Sequence, residues 1–494
     1  MKLPLLVKQT LLRANTMIVV KSVGLFGKVF ITRTMGVEGM GLYQLTYFFY
    51  ALVLMIISGG LPTALAMYIS SHPSRGWALF KKFSVIVLLI GAICSLLTYS
   101  LSSRIASLLH YPQLDFAIQC LAPAIFAVPL LSLLRGYLQG LEKYGIIALS
   151  ELVEQLVRIG SLVILIPIFI SSGLQVAVGA AILGTSLAAI LAFAFIIVMM
   201  KYKQHGGSLS AALPDMNSGF LTVAKVSLMI TLTRLLVPAS DFVDAMIIPQ
   251  RLQASGLSSG EAVQMLGVFS GIALVVAYMP TLFTAALTHT LTMRISSDWI
   301  NERFQHFYEK RNKAINLTWV WGWVSSWFIF NFSPEIAQFL FRVPSAETSI
   351  KLLSLLPLIV GFREITTSLL WAQNQKRAPL IGLAFGIMTN FSILYVVAAQ
   401  PGLGYLSMSL GVIAMELIAT LCNFKVLRLF QYFKSRIVLF LLDLLYFELL
   451  IIVCTWCSNM MLNYQPYSII AELLLYLIGS ALYIKFRFKG LLKD

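Results

Sequence analysis

The sequence predicts an all-α integral membrane protein of about fourteen transmembrane helices, built as two parallel six-helix lobes plus two C-terminal helices. Three observations predict it. Of 494 residues, 59% are hydrophobic and only 11% charged, whereas a soluble domain carries about 25% charged residues. The apolar residues form continuous runs of the length, roughly 20 residues, that a helix needs to cross about 30 Å of hydrocarbon. Segments of the first half also recur, in order, in the second. Continuous runs exclude a β-barrel, whose strands alternate apolar and polar residues.

The runs place spans near 14–32, 42–70, 84–109, 115–140, 146–170, 174–200 and 226–249, then near 262–293, 314–332, 350–371, 379–400, 403–424, 437–458 and 466–484. Helices are required because lipid offers backbone groups no hydrogen-bond partner. With the N-terminus in the cytoplasm, inside segments collect 25 of the 36 basic residues and outside loops hold five: Arg33, Arg104, Arg251, Arg342 and Lys351. That asymmetry predicts both termini in the cytoplasm. The first span ends without a small-residue cleavage site, so it is expected to stay.

The net charge of +16 does not point to nucleic acid, because the basic residues are scattered in short clusters between spans. Cys454 and Cys457 form a CxxC inside an apolar run, where packing is a better account than redox chemistry.

The duplication is read from three matches. At an offset of 234, Pro123 meets Pro357, Tyr137 meets Trp371 and Gln139 meets Gln373. Leu61-Pro62-Thr63 matches Met279-Pro280-Thr281 at an offset of 218, and Lys21 matches Arg234 at 213. A six-helix unit occurring twice gives lobes related by an axis along the membrane normal, and such lobes can rock around a central cavity. The expected organisation is residues 1–218 as the first lobe with its cytoplasmic linker, 219–430 as the second, and 431–494 as two extra helices with a basic tail.

Six basic residues fall within the spans: Lys21, Lys28, Arg135, Arg158, Arg234 and Arg363. A cation at the bilayer centre costs about 2.5–3.5 kcal/mol on insertion scales, so it faces a watery cavity or a partner. Lys21 and Lys28 share one face of the first helix, and with Arg234 they form a candidate cationic patch; snorkelling to the headgroups is the alternative. Glu154 and Arg158, at i and i+4, read as a mutually neutralising structural pair. Asp241 and Asp244 need a cation, a proton or an arginine; Asn390 is a candidate to join a cation site, or else a helix–helix hydrogen bond. Asp443, Glu448 and Glu472 have no evident partners. Pro62, Pro123, Pro280 and Pro357 interrupt spans and are candidate hinges. No P-loop, metal-spaced His/Cys set or nucleophile elbow is present, so no enzyme, cofactor or metal site is expected.

The strings KSVGLFGKVFITRTMGVEGMGLYQL (21–45), SGGLPTALA (58–66), LLRGYLQGLEKY (133–144), ELVEQLVRI (151–159) and ITLTRLLVPASDFVDAMIIPQRL (230–252) resemble the SpoVB-type polysaccharide-export branch of the multidrug/oligosaccharidyl-lipid/polysaccharide (MOP) superfamily. That superfamily also holds the MATE exporters and the MurJ-like lipid II flippases. The resemblance implies their two-lobe fold. It also implies, as cargo, a glycan linked to undecaprenyl pyrophosphate, such as a lipid II-like or polysaccharide precursor, moved from the inner to the outer leaflet and tied to spore cortex synthesis. Carried over, substrate binding falls on Lys21, Lys28 and Arg234, and Na⁺ or H⁺ coupling on Asp241 and Asn390. The chain has Lys where relatives often have Arg, keeping the charge but losing the bidentate fork. The implied partners are the lipid-linked oligosaccharide, the bilayer and cell-wall synthesis proteins. Two rival expectations stand beside this one: a cation-coupled multidrug antiporter, and a membrane scaffold of a cell-wall synthesis complex that moves no cargo.

Overall fold

A computed structural model describes residues 5–203, 216–460 and 467–488. Among these the chain is almost wholly helical, without a strand. The first half comprises α1 (Leu5–Ser58), α2 (Leu61–Ser71), α3 (Gly76–Ser100), α4 (Ala122–Gly140), α5 (Tyr144–Phe169), α6 (Leu174–Lys203) and α7 (Met216–Ala254). Then come α8 (Ser259–Leu266), a π-helical stretch (Gly267–Ala273), α9 (Leu274–Tyr278), α10 (Thr281–Ile300), α11 (Phe304–Asn331), α12 (Ala346–Leu352) and α13 (Leu356–Ala372). The chain continues through α14 (Arg377–Val397), α15 (Gly404–Val426), α16 (Ile437–Met460) and α17 (Tyr467–Arg487).

Eleven helices are long and apolar enough to cross a membrane among the described residues, and twelve if the bent pair α12 and α13, at 43°, forms one span. This is fewer than the fourteen expected, for two physical reasons. Helix α1, Leu5–Ser58, counts once although Gly36 has non-helical φ/ψ (71°, −178°) and divides it into two arms, which the sequence reads as two spans. Helix α11, 28 residues long, has a charged beginning, and its apolar part carries Trp319, Trp321, Trp323, Trp327, Ser325, Ser326 and Asn331, which keep its hydropathy low.

The burial pattern suits lipid. Leu89, Ile93 and Leu96 of α3 are exposed, as are Val438, Leu441, Leu445, Leu449 and Ile452 of α16. So many exposed large apolar side chains would be a liability in water. Between helices, where lipid removes the usual hydrophobic drive, close packing of small residues takes over. Gly136 and Gly140 of α4 form a GxxxG pair under α2: a Cβ on Gly136 would lie 2.6 Å from the Pro62 Cα, and one on Gly140 2.9 Å from the Ala66 carbonyl oxygen. The glycines of the LRGYLQG string are therefore helix seats.

The backbone groups into two compact units. One holds the chain up to Ile272 with Phe339–Val343 and Phe391–Met408; the other holds Ala273–Gln338, Pro344–Asn390 and the chain from Ser409 onward. The first unit has a core of Leu65, Ile69, Leu79, Phe83, Leu134 and Ala192. Its second close seam joins α1 to the start of α8 and the π-helical stretch. A Cβ on Gly41 would sit 2.1 Å from the Val263 carbonyl oxygen, and one on Gly267 2.1 Å from that of Val37. Gln44 Nε2 donates to the Ser270 carbonyl at 3.1 Å, satisfying a buried backbone acceptor of the π stretch.

In the second unit, one core gathers Phe307, Ile315, Phe362, Leu369 and Phe424. Another docks α16 and α17 on α11 through Phe447, Cys454, Tyr476 and Val324, so Cys454 is a packing residue. Asp443, which had no evident partner in the sequence, has two. It is 1% exposed as a side chain and pairs with Arg487 Nε at 3.0 Å, and Tyr483 donates its hydroxyl to the same carboxylate.

Candidate functional site

Lys21 and Lys28 lie on the first arm of α1, Lys21 exposed and Lys28 half-buried. The arm is held against α5 by glycines one position before Lys28 and three after Lys21. A Cβ on Gly24 would meet Gln155 Nε2 at 3.2 Å, and one on Gly27 would meet Leu162 at 3.3 Å and Ile159 at 3.6 Å. Neither lysine pairs with a carboxylate among the described residues. Two ammonium groups thus lie along a helix that the sequence places in the membrane, without an internal counter-charge.

Arg234 has a different setting. The second arm of α1 stops at Ser58 and α2 starts at Leu61, so Gly59 and Gly60 form a break inside a predicted span. The break rests on α7: a Cβ on Gly60 would lie 2.1 Å from the Ser227 carbonyl oxygen, and the Gly60 N–H donates to Thr231 Oγ1 at 2.9 Å. One turn along α7, Arg234 Nη1 donates to the Gly59 carbonyl and to Thr63 Oγ1, each at 3.1 Å. Helix interruption leaves carbonyls without their i+4 donors, and here a guanidinium serves one of them. Arg234 stays exposed beyond these bonds. All three expected substrate-binding residues belong to the first unit, Lys21 and Lys28 beside α5 and Arg234 beside the Gly59–Gly60 break.

The pair expected between Glu154 and Arg158 is present on α5, but it is incomplete as a description. Arg135 of α4 donates from Nη1 to Glu154 Oε2 at 2.7 Å and from Nε to Ser150 Oγ at 3.0 Å. Two guanidiniums therefore share one carboxylate. The link spans 19 residues across a helical hairpin, so i, i+4 spacing could not reveal it. Tyr43, Tyr47 and Tyr50, on the second arm of α1, lie within electrostatic reach of Arg158.

The four candidate hinge prolines all stand where helices begin. Pro62, Pro123 and Pro357 occupy the first turns of α2, α4 and α13, and Pro280 caps α10. A proline there loses no intrahelical hydrogen bond. Interruptions precede it at Gly59–Gly60, Cys120–Leu121, Met279 and Leu353–Leu355. These fall in the second and fourth predicted spans and in their matches, the eighth and tenth. Among the described residues, Pro129, Pro167, Pro238 and Pro249 lie in helix interiors.

Asp241 is half-buried on α7, two turns beyond Arg234, and has no hydrogen-bond or ion-pair partner among the described residues. Asn390 is fully buried on α14. The two expected cation-site residues fall in different units. The second unit has its own polar cluster, which the spacing did not reveal. Arg363 of α13 pairs with Glu416 of α15, Tyr278 donates to the other Glu416 oxygen at 3.2 Å, and Thr284 donates to Glu364 at 2.7 Å.

Long apolar helices, spans broken at matching prolines and cations held on helices without counter-ions describe a multi-pass membrane protein of the MOP transporter fold. The fold is shared with a multidrug resistance MATE family transporter of the MOP superfamily solved in an inward-facing conformation, at a TM-score of 0.66 over 85% of this chain and 94% of that one, with 16% identity. The chain belongs to the polysaccharide biosynthesis protein family, which it matches over residues 6–297. It is 24% identical to stage V sporulation protein B of Bacillus subtilis (strain 168) over 430 residues, 84% of this chain and 83% of that protein. It is 31% identical to the lipid II flippase MurJ of the same organism over 199 residues, 36% of each chain. The chain is thus similar in sequence to a sporulation protein and, over part of its length, to a lipid II flippase, and similar in fold to a transporter of the MOP superfamily.

Proposed function

We propose that the protein is a flippase that moves a glycan linked to undecaprenyl pyrophosphate from the inner to the outer leaflet of the bacterial cytoplasmic membrane. Both termini face the cytoplasm, and the glycan is a peptidoglycan or polysaccharide precursor that serves spore cortex synthesis. The carrying observation is the uncompensated positive charge of Lys21 and Lys28, joined in the same unit by Arg234. A pyrophosphate brought into a low-dielectric site is prohibitively costly unless cations receive it. The polysaccharide biosynthesis family and the similarity to a lipid II flippase support a lipid-linked glycan as the cargo.

The headgroup enters while the polyprenyl tail stays in lipid, and the lobes rock to release it outward. An outward-moving dianion gains about 4.6 kcal/mol at 100 mV, negative inside, from about 2.3 kcal/mol per charge. Asp241, a carboxylate without a partner on the helix that carries Arg234, is the group through which Na⁺ or H⁺ couples. The test is transfer of fluorescent lipid II across proteoliposomes, wild type against a Lys21→Ala/Arg234→Ala double variant. The reading expects the variant to lose most transfer; equal rates remove these residues from the site.

A further inference from the structure

We infer that Arg135 and Arg158 form a second anion-binding subsite, selective for phosphate or diphosphate oxygens, and that the Glu154 carboxylate is its internal occupant when no ligand is bound. The subsite deepens the flippase reading, and rests on it for the identity of the cargo but not for the binding of an anion.

The charge balance is the first argument. Two guanidiniums against one carboxylate leave the ion-paired trio of Arg135, Glu154 and Arg158 at net +1. A purely structural pair would neutralise itself, since an excess charge in a membrane span is costly. The arm of α1 packed on α5 through Gly24 and Gly27 carries two further cations, Lys21 and Lys28, neither of them ion-paired among the described residues.

Unmet hydrogen bonds are the second. Each guanidinium offers about five N–H donors, but the pair makes three hydrogen bonds: Arg135 Nε to Ser150, Arg135 Nη1 to Glu154 and Arg158 Nη2 to Glu154. Arg135 Nη2 and Arg158 Nε are buried without an acceptor. Leaving buried donors unmet is unfavourable, and both flank the carboxylate that the two arginines share. A phosphate has more oxygens than a carboxylate and a tetrahedral spread, so it can take two forks at once.

Access is the third. The side chains of Arg135, Glu154 and Arg158 are 17%, 14% and 24% exposed, mostly withdrawn but not sealed. The tyrosines near Arg158 are neutral and can donate to an anion without adding charge. In this arrangement Glu154 keeps the guanidiniums oriented in the empty protein and yields them to a ligand of higher charge.

The claim that Glu154 competes with the ligand gives a test that a structural salt bridge fails. Binding of inorganic pyrophosphate and of undecaprenyl pyrophosphate to the purified protein in detergent is measured by titration calorimetry, for wild type, Glu154→Gln, Arg135→Gln and Arg158→Gln. Thermal unfolding is recorded for each. Glu154→Gln is expected to tighten binding by about threefold or more, and each arginine variant to weaken it by about tenfold, the scale of one charge-assisted contact. Should an arginine variant fail to fold, Arg→Lys at the same position keeps the charge and loses the fork, and weakened binding is again expected. Unchanged or weaker binding in Glu154→Gln, or unchanged affinity in the arginine variants, overturns the inference. Tighter binding of the lipid form assigns the site to a headgroup, and equal binding assigns it to free diphosphate; both support an anion subsite. Lipid transfer is measured separately, so loss of the cargo reading would leave the binding result standing.

Discussion

Arg234 and Gly59 are joined across two helices: the guanidinium donates at 3.1 Å to a carbonyl left free where the α1 helix ends one residue earlier. A candidate binding group thereby also stitches a helix break, and the two roles can be separated by substitution. Arg234→Lys keeps the charge but gives up the fork, and Thr63→Val removes the second acceptor while leaving the cation. Transfer of labelled lipid II in proteoliposomes is expected to fall by about tenfold or more in Arg234→Ala, as for loss of a charge-assisted contact. Arg234→Lys should be intermediate and Thr63→Val close to wild type. If Thr63→Val and Arg234→Ala fall together, the break and not the charge is what matters.

The α1–α8 seam is built from backbone against backbone, which makes its glycines intolerant. At Gly267 a Cβ would stand 2.1 Å from the Val37 carbonyl oxygen and 2.7 Å from the Gly41 nitrogen, and neither atom can swing aside as a side chain would. Gly160, in the middle of α5, has nothing within 4 Å of an added Cβ. Gly267→Ala should lower stability by about 1–3 kcal/mol, the usual cost of overpacking. Gly160→Ala should be neutral or gain about 0.5–1 kcal/mol from the better helix former. Thermal unfolding in detergent, followed by scanning fluorimetry, checks both, and a fall for Gly160→Ala that matches Gly267→Ala would contradict the packing account.

Asp443 ties α16 to α17 through Arg487 and Tyr483, with Tyr446 and Tyr483 stacked at 4.0 Å beside it. The carboxylate is almost fully buried, so removing it strands the guanidinium. Asp443→Ala should destabilise the helix pair by about 3–5 kcal/mol, the cost of an orphaned buried charge. Earlier trypsin cleavage near the basic C-terminal segment of the detergent-solubilised protein reads this out. Unaltered cleavage would mean that the aromatic packing alone holds the hairpin.

Much of this molecule is legible from local chemistry. Apolar runs mark the helices because lipid removes every other backbone solution, and the SGGLP string marks the break at Gly59–Gly60 because glycine and proline both weaken a helix there. The paired prolines Pro62 with Pro280, and Pro123 with Pro357, each stand at a helix start that follows an interruption. What stayed hidden is non-local. Arg135 meets Glu154 over 19 residues and Arg487 meets Asp443 over 44, and no helical period connects such positions. How the two arms of α1 meet was hidden for the opposite reason: the polar stretch around Arg33 and Glu38 reads as a loop, yet the backbone stays helical up to Gly36 from both sides and breaks at that one residue. The cytoplasmic linker expected at the end of residues 1–218 falls largely on 204–215, outside the described residues.

The Arg363–Glu416 pair offers the sharpest check on how charges are held in the second unit. Glu416 is 3% exposed as a side chain and Arg363 24%, and Tyr278 donates to the second carboxylate oxygen. Taking both ions out of water is paid for mainly by their mutual attraction, so the pair itself contributes little net stability. Losing one partner is another matter, because the survivor keeps its desolvation cost without its counter-ion. Arg363→Met and Glu416→Leu should each destabilise by about 3–5 kcal/mol, whereas the double variant should recover much of that loss, since two apolar groups of similar volume can pack where the ions were. Thermal unfolding of the four proteins in one detergent gives the coupling directly. Strictly additive losses would show that the two side chains act independently, each anchored by other groups such as Tyr278, and would remove the ion pair as the reason both charges are tolerated there.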